Sequence, residues 1–504
     1  MIPRTRLLWL LPLGYLALQI GISGFHGYGY FIDELYYIAC SKRPALGYVD
    51  HPPLAPLLLL LSRRILGDSI PAIRFLPALT GSLTVWLAGL TARKLGGGTT
   101  AQSIAMVSVI IAPVFLALFG IFTVNAFEIL LGTAMSWVLV TLLQTGDGRW
   151  WIPFGALAGL GLLNKHTFVL LGAGLIAGLA MTPARNHLRD RRFWLSGLLA
   201  LVLFSPNLIW QIRHDWVSLE FYRNATLLKN VSTSPIGVIL GQLFPAHPAA
   251  LPVWLAGLWY CFFHEEGRRY RPLGWCFVTV LGVLILTGSS RPDRIAALYP
   301  FLFAAGGVAL EQRFARRGGA WLRPALFALL ILGGLVLAPL SIPLLPPDAM
   351  ARYAATLDVT PQIERGKASH VPQWFADRFG WEEMVDKVAE VYSRLPEADR
   401  ASTLLVADNY GKAGALELFG PARGLPRVIS THNNYHLWGP GDTSARVVIA
   451  VGSDREDLEQ VFTDVEQAAT LGCSYCYYDG EPIWVARGLK IDIQQSWPMF
   501  REFI

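Results

Sequence analysis

Residues 27–54 read GYGYFIDELYYIACSKRPALGYVDHPPL, and the fold turns on how this stretch is read. It lies between two long apolar segments, where a membrane-embedded chain would turn round. Yet it carries Asp33, Glu34, Asp50 and His51 among Tyr28, Tyr30, Phe31, Tyr36, Tyr37 and Tyr48. Charged groups are costly in hydrocarbon, so a bilayer protein that keeps them tends to use them. Adjacent carboxylates followed by an Asp-His-Pro-Pro corner suit a polar substrate better than a lipid contact.

The flanking sequence fits that setting. Apolar residues make up 53% of the chain and charged residues only 15%, with 48 Gly and 17 Trp, which is membrane-protein composition. A span needs roughly 20 mostly apolar residues. Such stretches occur at 7–24, 71–90, 101–118, 126–143, 150–163, 168–181, 193–210, 237–262, 273–287, 295–310 and 322–340, so an α-helical polytopic protein with about eleven spans is expected. Arg4 and Arg6 precede an apolar run longer than a signal core, which reads as an uncleaved first span. From about residue 346 charges become regular and apolar runs shorten to strand length. The expected division is a transmembrane unit at 1–345, with an outer-face loop at 25–70, and a soluble α/β or α+β domain at 346–504. In that domain 403–420 reads as strand, loop and helix, 446–451 as a strand, 456–462 as a helix and 482–487 as a strand. Residues 62–74 carry Arg63, Arg64 and Asp68 among Leu and Ile, the pattern of an interfacial helix or of a helix extension with snorkelling arginines.

Lys and Arg in short connections set orientation. Arg4, Arg6, Arg93, Lys94, Arg149, Arg185, Arg189, Arg191, Arg192, Arg268, Arg269, Arg271, Arg313, Arg316 and Arg317 fall on one side, the expected cytoplasmic face. The opening loop and the C-terminal domain fall on the other, extracytoplasmic, face. Basic residues there, Lys165, Arg213, Arg223, Lys229, Arg291 and Arg294, are scattered among aromatics and acids and suggest anionic ligands. No nucleic-acid partner is expected. Cys473 and Cys476 form a CSYC for which a disulfide, a redox pair and free thiols all remain open.

Asp33 and Glu34 are candidates for a general base, for metal ligands or for plain loop solvation; the surrounding rings favour the base, since partial desolvation raises a carboxylate pKa. Tyr36 and Tyr37 can stack on a sugar face. The prolines after Asp50-His51 hold both on a rigid corner, suited to a divalent metal or a phosphate-facing cation. Lys165, in Asn164-Lys165-His166, reads either as an anion ligand or as an interface anchor. Glu128 opens an apolar span and is expected to pair with a cation or stay protonated.

Taken in order, FIDELYYIACSKRPALGYVDHPPLAPLL, NAFE, GLLNKHTFVL, SPNLIWQIRHDWVSLEFYRNA and LFAAGGVALE resemble the bacterial protein-mannosyltransferase-like glycosyltransferases. These form the family-39 and aminoarabinose-transferase-related group of GT-C membrane enzymes. The resemblance implies a GT-C fold, an active site between outer loops and membrane, and a sugar donor on polyprenyl phosphate. It implies Asp33 as base or acceptor anchor, Glu34 as its acidic partner, and Asp50 as the acid that helps a metal or the sugar. His51 stands where such enzymes tend to have lysine. Arg291-Pro292-Asp293-Arg294 stands where relatives carry a lysine followed by aromatics, and Asn125 where many carry Asp.

The reading that follows is an integral-membrane inverting glycosyltransferase, hexosyl or pentosyl, acting on a lipid, glycan or protein hydroxyl. Asp33, Glu34 and Asp50 are its candidate catalytic acids, and Lys165, Arg291 and Arg294 its donor-phosphate cations. Tyr36, Tyr37, His51, Glu128, His166, Arg213 and Arg223 are candidate substrate contacts, and Asp50 with His51 the candidate holder of Mg, Mn or Zn. The expected location is the bacterial inner membrane, multi-pass, with the N-terminus cytoplasmic and the C-terminal domain periplasmic. A transporter or flippase of lipid-linked sugars is the alternative, although polar clusters crowded on one face and no internal repeat fit it less well.

Overall fold

A computed structural model of the chain describes residues 7–289, 291–316, 319–359, 364–365, 369–441 and 445–504. Arg4, Arg6 and Arg317, three of the basic residues assigned above to the inner face, lie outside these. Every apolar stretch picked out above carries helix. Among the described residues six helices are long and apolar enough to cross a bilayer, or up to eight when two bent pairs each count once. Helices 7–21, 99–111 and 151–164 are shorter. Two expected spans are broken, and proline is the cause in both. Ala112 is extended ahead of Pro113, which ends helix Thr99–Ile111. His247 takes φ 73° before Pro248, and Pro235–Ala246 meets Pro248–Phe263 at 96°. The LFAAGGVALE stretch is a packing device. A Cβ at Gly306 would collide with the Val253 carbonyl and one at Gly307 with that of Ala101. One turn on, Glu311 accepts from the Gly98, Thr100 and Ala101 amides, capping the N-terminus of helix Thr99–Ile111.

The opening stretch is not a loop throughout. Ile32–Lys42 is an outer helix with Asp33 and Glu34 in its first turn, where carboxylates complement the helix dipole. Phe31 is extended, Glu34 Oε2 accepts from its amide at 2.8 Å, and Pro44 follows the helix end. Residues 62–74 do not form one helix: Ile70–Lys94 starts a new helix there, and the preceding one is Leu54–Leu66. Leu57, Leu61 and Ile65, four residues apart, form its exposed stripe. Arg63 turns away, donating to Ser41 Oγ at 2.7 Å and to Asp68.

In the C-terminal region β1 (Thr403–Ala407), β2 (Val428–Ser430), β3 (Val447–Val451), β4 (Phe462–Thr470) and β5 (Pro482–Leu489) form one sheet in the order β2-β1-β3-β5-β4. β1 runs parallel to β2 and β3, and β5 antiparallel to β3 and β4. Helix Tyr410–Phe419 leaves β1 and lies against the outer helix at close range. A Cβ at Gly414 would sit 2.9 Å from the Leu35 backbone carbon. Ile32, Leu35, Tyr36, Ala39 and Cys40 therefore share a core with Phe375, Val385, Leu405 and Ala413. The outer helix packs as part of the C-terminal layer, although 360 residues of chain separate the two in sequence, by order of magnitude.

Overpacking a tight contact costs about 1–3 kcal/mol. Gly414→Val should loosen this docking, read as faster limited proteolysis of the C-terminal region in detergent-purified protein; an unchanged digestion rate would refute the contact's importance.

Candidate active site

Successive helical residues point about 100° apart, so neighbouring Asp33 and Glu34 meet different surroundings. Glu34 turns inward and is fully buried. Arg74, itself 1% exposed, donates to it from Nε at 2.9 Å and from Nη2 at 2.8 Å, in a two-pronged ion pair. The Phe31 and Phe122 amides complete the shell, each at 2.8 Å. With every lone pair engaged, Glu34 ties the outer helix to helix Ile70–Lys94 and to the 119–123 turn. That geometry gives it a holding role and leaves no oxygen for substrate.

Asp33 faces the other way. Its Oδ1 accepts from the Tyr410 hydroxyl at 3.0 Å, and its Oδ2 makes no hydrogen bond among the described residues. Burial pushes its pKa up, an effect that nearby Lys229 and the Tyr410 hydrogen bond oppose and that Glu364 and Asp50 reinforce. One turn along the same face, Tyr36 donates to Asp50 Oδ1 at 2.9 Å. His51 is buried with its ring against Tyr37 and Tyr48, both at 4.8 Å between centroids. Its Nδ1 lies 3.0 Å from the Pro52 carbonyl and its Nε2 3.8 Å from Asp50 Oδ1.

Across from these acids runs a line of alternating charges. Lys165 Nζ has Asn125 Oδ1, Glu128 Oε2 and Asp293 Oδ2 at 2.5, 2.8 and 3.4 Å, one acceptor for each ammonium proton. Glu128 thus finds the cation its burial requires. Asp293 also meets Arg291 at 3.3 Å, and Glu364 lies 3.8 Å from Arg291 and 3.5 Å from Lys229. The Lys229 ammonium sits 5.6 Å above the Tyr410 ring, which closes the line at Asp33. Arg294 donates to Ser289 Oγ at 3.2 Å and has no ion-pair partner among the described residues. His166 joins the corner to the opening stretch: its Nε2 faces Asn207 Oδ1 at 2.9 Å, and Asn207 Nδ2 donates to the Leu46 carbonyl at 3.0 Å. Burial lowers the His166 pKa, which keeps the ring neutral at pH 7.

Some expected residues stand apart. Arg213 and Arg223 are exposed and share no hydrogen bond or ion pair with the cluster among the described residues, because helices Arg191–Arg213 and Val217–Asn224 turn them outward. Asp50 and His51 supply two donors, and no group of three or more His, Cys, Asp or Glu gathers among the described residues, so the pair does not amount to a protein-built metal centre. Cys473 and Cys476 are free thiols, and a hydrogen bond from Cys476 draws the Cys473 pKa down to about 7. Two participants escaped the sequence reading altogether as site residues: Glu364 and Arg74. Each reaches the site from a distant segment and carries no local motif.

Known proteins share parts of this sequence and its fold. Residues 50–210 match the family model described as dolichyl-phosphate-mannose-protein mannosyltransferase. The lipid A galacturonosyltransferase RgtD of Rhizobium johnstonii is 28% identical over 57% of this chain and 60% of its own. The lipopolysaccharide core galacturonosyltransferase RgtB of the same organism is 25% identical over 41% of this chain and 43% of its own. The chain therefore spans less than two-thirds of either relative. The crystal structure of ArnT from Cupriavidus metallidurans bound to undecaprenyl phosphate superimposes with a TM-score of 0.59 at 15% identity, covering 96% of this chain and 97% of that one. The resemblance to the GT-C glycosyltransferases holds. In GT-C terms, the acids of the opening stretch and the cations of the later corners converge at one end of the spans.

Removing one partner of a buried ion pair costs on the order of 3–5 kcal/mol. Glu34→Gln should therefore lower the unfolding midpoint of the purified protein clearly, while Asp33→Asn, whose amide oxygen still accepts from Tyr410, should leave it near wild type. Equal midpoints in the two variants would contradict the division of roles.

Proposed function

We propose that the protein is an inverting glycosyltransferase that moves a sugar from polyprenyl phosphate to a hydroxyl of a lipid A or lipopolysaccharide-core type saccharide. The observation that carries this reading is the unbroken line of contacts from Lys165 through Asp293, Arg291, Glu364 and Lys229 to Asp33, with Asp50 beside it. An acid that can take a proton and cations that can take a phosphate are thereby joined in one chain of contacts. The two galacturonosyltransferase relatives favour a hexuronosyl donor, and the ArnT neighbour favours a lipid phosphate carrier. The arginine and lysine distribution favours eleven spans, an inner-membrane location, a cytoplasmic N-terminus and an extracytoplasmic C-terminal domain.

In the proposed reaction the acceptor oxygen attacks the sugar C1 as the bond from C1 to the phosphate oxygen breaks. The acceptor proton passes to Asp33 Oδ2, and polyprenyl phosphate leaves with the bonding pair. The transition state is oxocarbenium-like, so the carboxylates of Asp33 and Asp50 stabilise charge developing on the sugar. A phosphate is already a weak base and needs cations rather than a proton. Arg294, free of a carboxylate partner, is the foremost ligand, with Arg291 beside it and Lys165 fixing Asp293 behind. Tyr36, Tyr37 and His51 form a buried aromatic layer behind Asp50.

Asp33→Asn should abolish transfer of sugar from polyprenyl phosphate in membranes with matched protein levels; full activity would sink the reading. Because the working form is the carboxylate and its pKa is raised, wild-type transfer should fall away on acidification at a pH above the ordinary aspartate value of about 3.9. Arg294→Ala removes a charge-assisted hydrogen bond to phosphate and should raise the donor KM by about 10- to 100-fold with a smaller change in kcat. Unchanged donor kinetics would take Arg294 out of the site.

A further inference from the structure

We propose that the C-terminal sheet is part of the catalytic centre, and that Tyr410, at the carboxyl end of β1, is the positioning residue that orients Asp33. The inference rests on the transfer reading above and adds a residue to it.

In a parallel sheet the loops after the strands gather at one edge, and that edge is where such folds build sites. Here the edge meets the outer helix. After β1, Asn409 Oδ1 accepts from the Gly411 and Lys412 amides, both at 3.0 Å, and fixes the first turn of helix Tyr410–Phe419. Tyr410 is the first residue of that turn and is 7% exposed. Its ring lies 4.8 Å from Tyr36 on one side and 4.8 Å from His432 on the other, which leaves the hydroxyl little choice of direction. It points at Asp33 Oδ1, 3.0 Å away.

After β2, a second arm reaches the second acid. Asn433 holds φ 47°, uncommon for a residue with a side chain, and its side chain is fastened to the Ile504 backbone at 3.1 and 3.2 Å. That turn aims Asn434 at the opening stretch. Its Oδ1 accepts from the Val49 amide at 2.6 Å, and its amide donates to Tyr36 Oη at 3.3 Å. Tyr36 in turn donates to Asp50. Both acids are thus held by phenol hydroxyls, Asp33 by Tyr410 directly from the sheet edge and Asp50 by Tyr36 of the outer helix, which Asn434 contacts from that edge.

For Asp33 the consequence is directional. With Oδ1 occupied, Oδ2 is the oxygen left for the acceptor hydroxyl. A donor to the carboxylate also favours its charged form, so removing the phenol should make Asp33 harder to ionise. The other groups facing it are Tyr37 on its own helix, Glu364, Arg291, Asp50 and Lys229, which also lies over the Tyr410 ring, a ring that Tyr410→Phe keeps in place.

The test uses full-length protein in detergent or nanodiscs. Labelling of Asp33 by a water-soluble carbodiimide, followed by mass spectrometry across pH, reads its ionisation without any sugar substrate. Tyr410→Phe should move the midpoint up by about one pH unit, a tenfold change in ionisation at fixed pH. Placing 3-fluorotyrosine at 410, a stronger donor of nearly the same size, should move it down. Opposite shifts cannot come from loosened packing, which would push both variants the same way. In transfer assays the acid limb of kcat should follow the same two directions with donor KM unchanged. Tyr392→Phe, an equivalent change at an exposed hydroxyl that donates to the Arg400 carbonyl, should leave both readouts as in wild type. Midpoints that stay put, or that shift together in the two Tyr410 variants, would overturn the proposal. Wild-type protein inactive with every polyprenyl-phosphate sugar would count against the transfer reading alone, since the carbodiimide titration still decides on Tyr410.

Discussion

The two-pronged ion pair between Glu34 and Arg74 is the constraint on which the outer face depends. Both groups are out of water, and a charge without its partner there would be driven to neutralise or to pull the structure open. Because the Phe31 and Phe122 amides also converge on Glu34, one carboxylate fixes the start of the outer helix, a membrane helix and the turn between two others. Helical geometry then does the rest. Once Glu34 is locked inward, Asp33 has to emerge about 100° round the helix, toward the C-terminal sheet. A pair of adjacent acids is thereby split into one engaged on every side and one with an oxygen left unbonded among the described residues, without any further device.

The same economy governs the charged line. Two lysines, an arginine and three acids packed together would be unstable as separate charges, so they alternate: Glu128, Lys165, Asp293, Arg291, Glu364, Lys229. Such a line is stable without ligand and still responsive to one. An incoming phosphate competes with carboxylates for guanidinium and ammonium groups and finds Arg294 already without a rival.

How much of this could be read beforehand follows the range of the interactions. Spans declared themselves through apolar runs, and β1, helix Tyr410–Phe419, β3 and β5 through short-range patterning. What failed was whatever depended on distant partners. The opening stretch, rich in Gly, Pro and rings, looked like a loop because its helix is only Ile32–Lys42 and is stabilised by residues hundreds of positions away. β4 carries Thr463, Asp464, Glu466 and Gln467 on an exposed edge and lacks the alternation that marks a strand. Among the site residues, Asp33, Asp50, Lys165 and the 291–294 corner stood out as polar breaks in apolar surroundings. Glu364 did not, since a polar residue in a polar region gives no such contrast.

That contrast also explains why Arg213 and Arg223 misled. Both are basic residues in an aromatic, outward-facing segment, the same local signature as Arg291 and Arg294. What separates the pairs is the facing residue. Arg291 and Arg294 precede and begin a turn packed against helix Val124–Thr145, which brings Asp293 and the Lys165 corner to meet them. Arg213 ends its helix in the open, and Arg223 lies on the exposed side of its own. A membrane protein of this kind draws its chemistry from outer segments that are short on local signal, and the deciding question for each charge is which distant acid or base its backbone is folded to meet. For Asp33 that partner is Tyr410, and the distance in sequence between them is the reason their hydrogen bond is legible only from the fold.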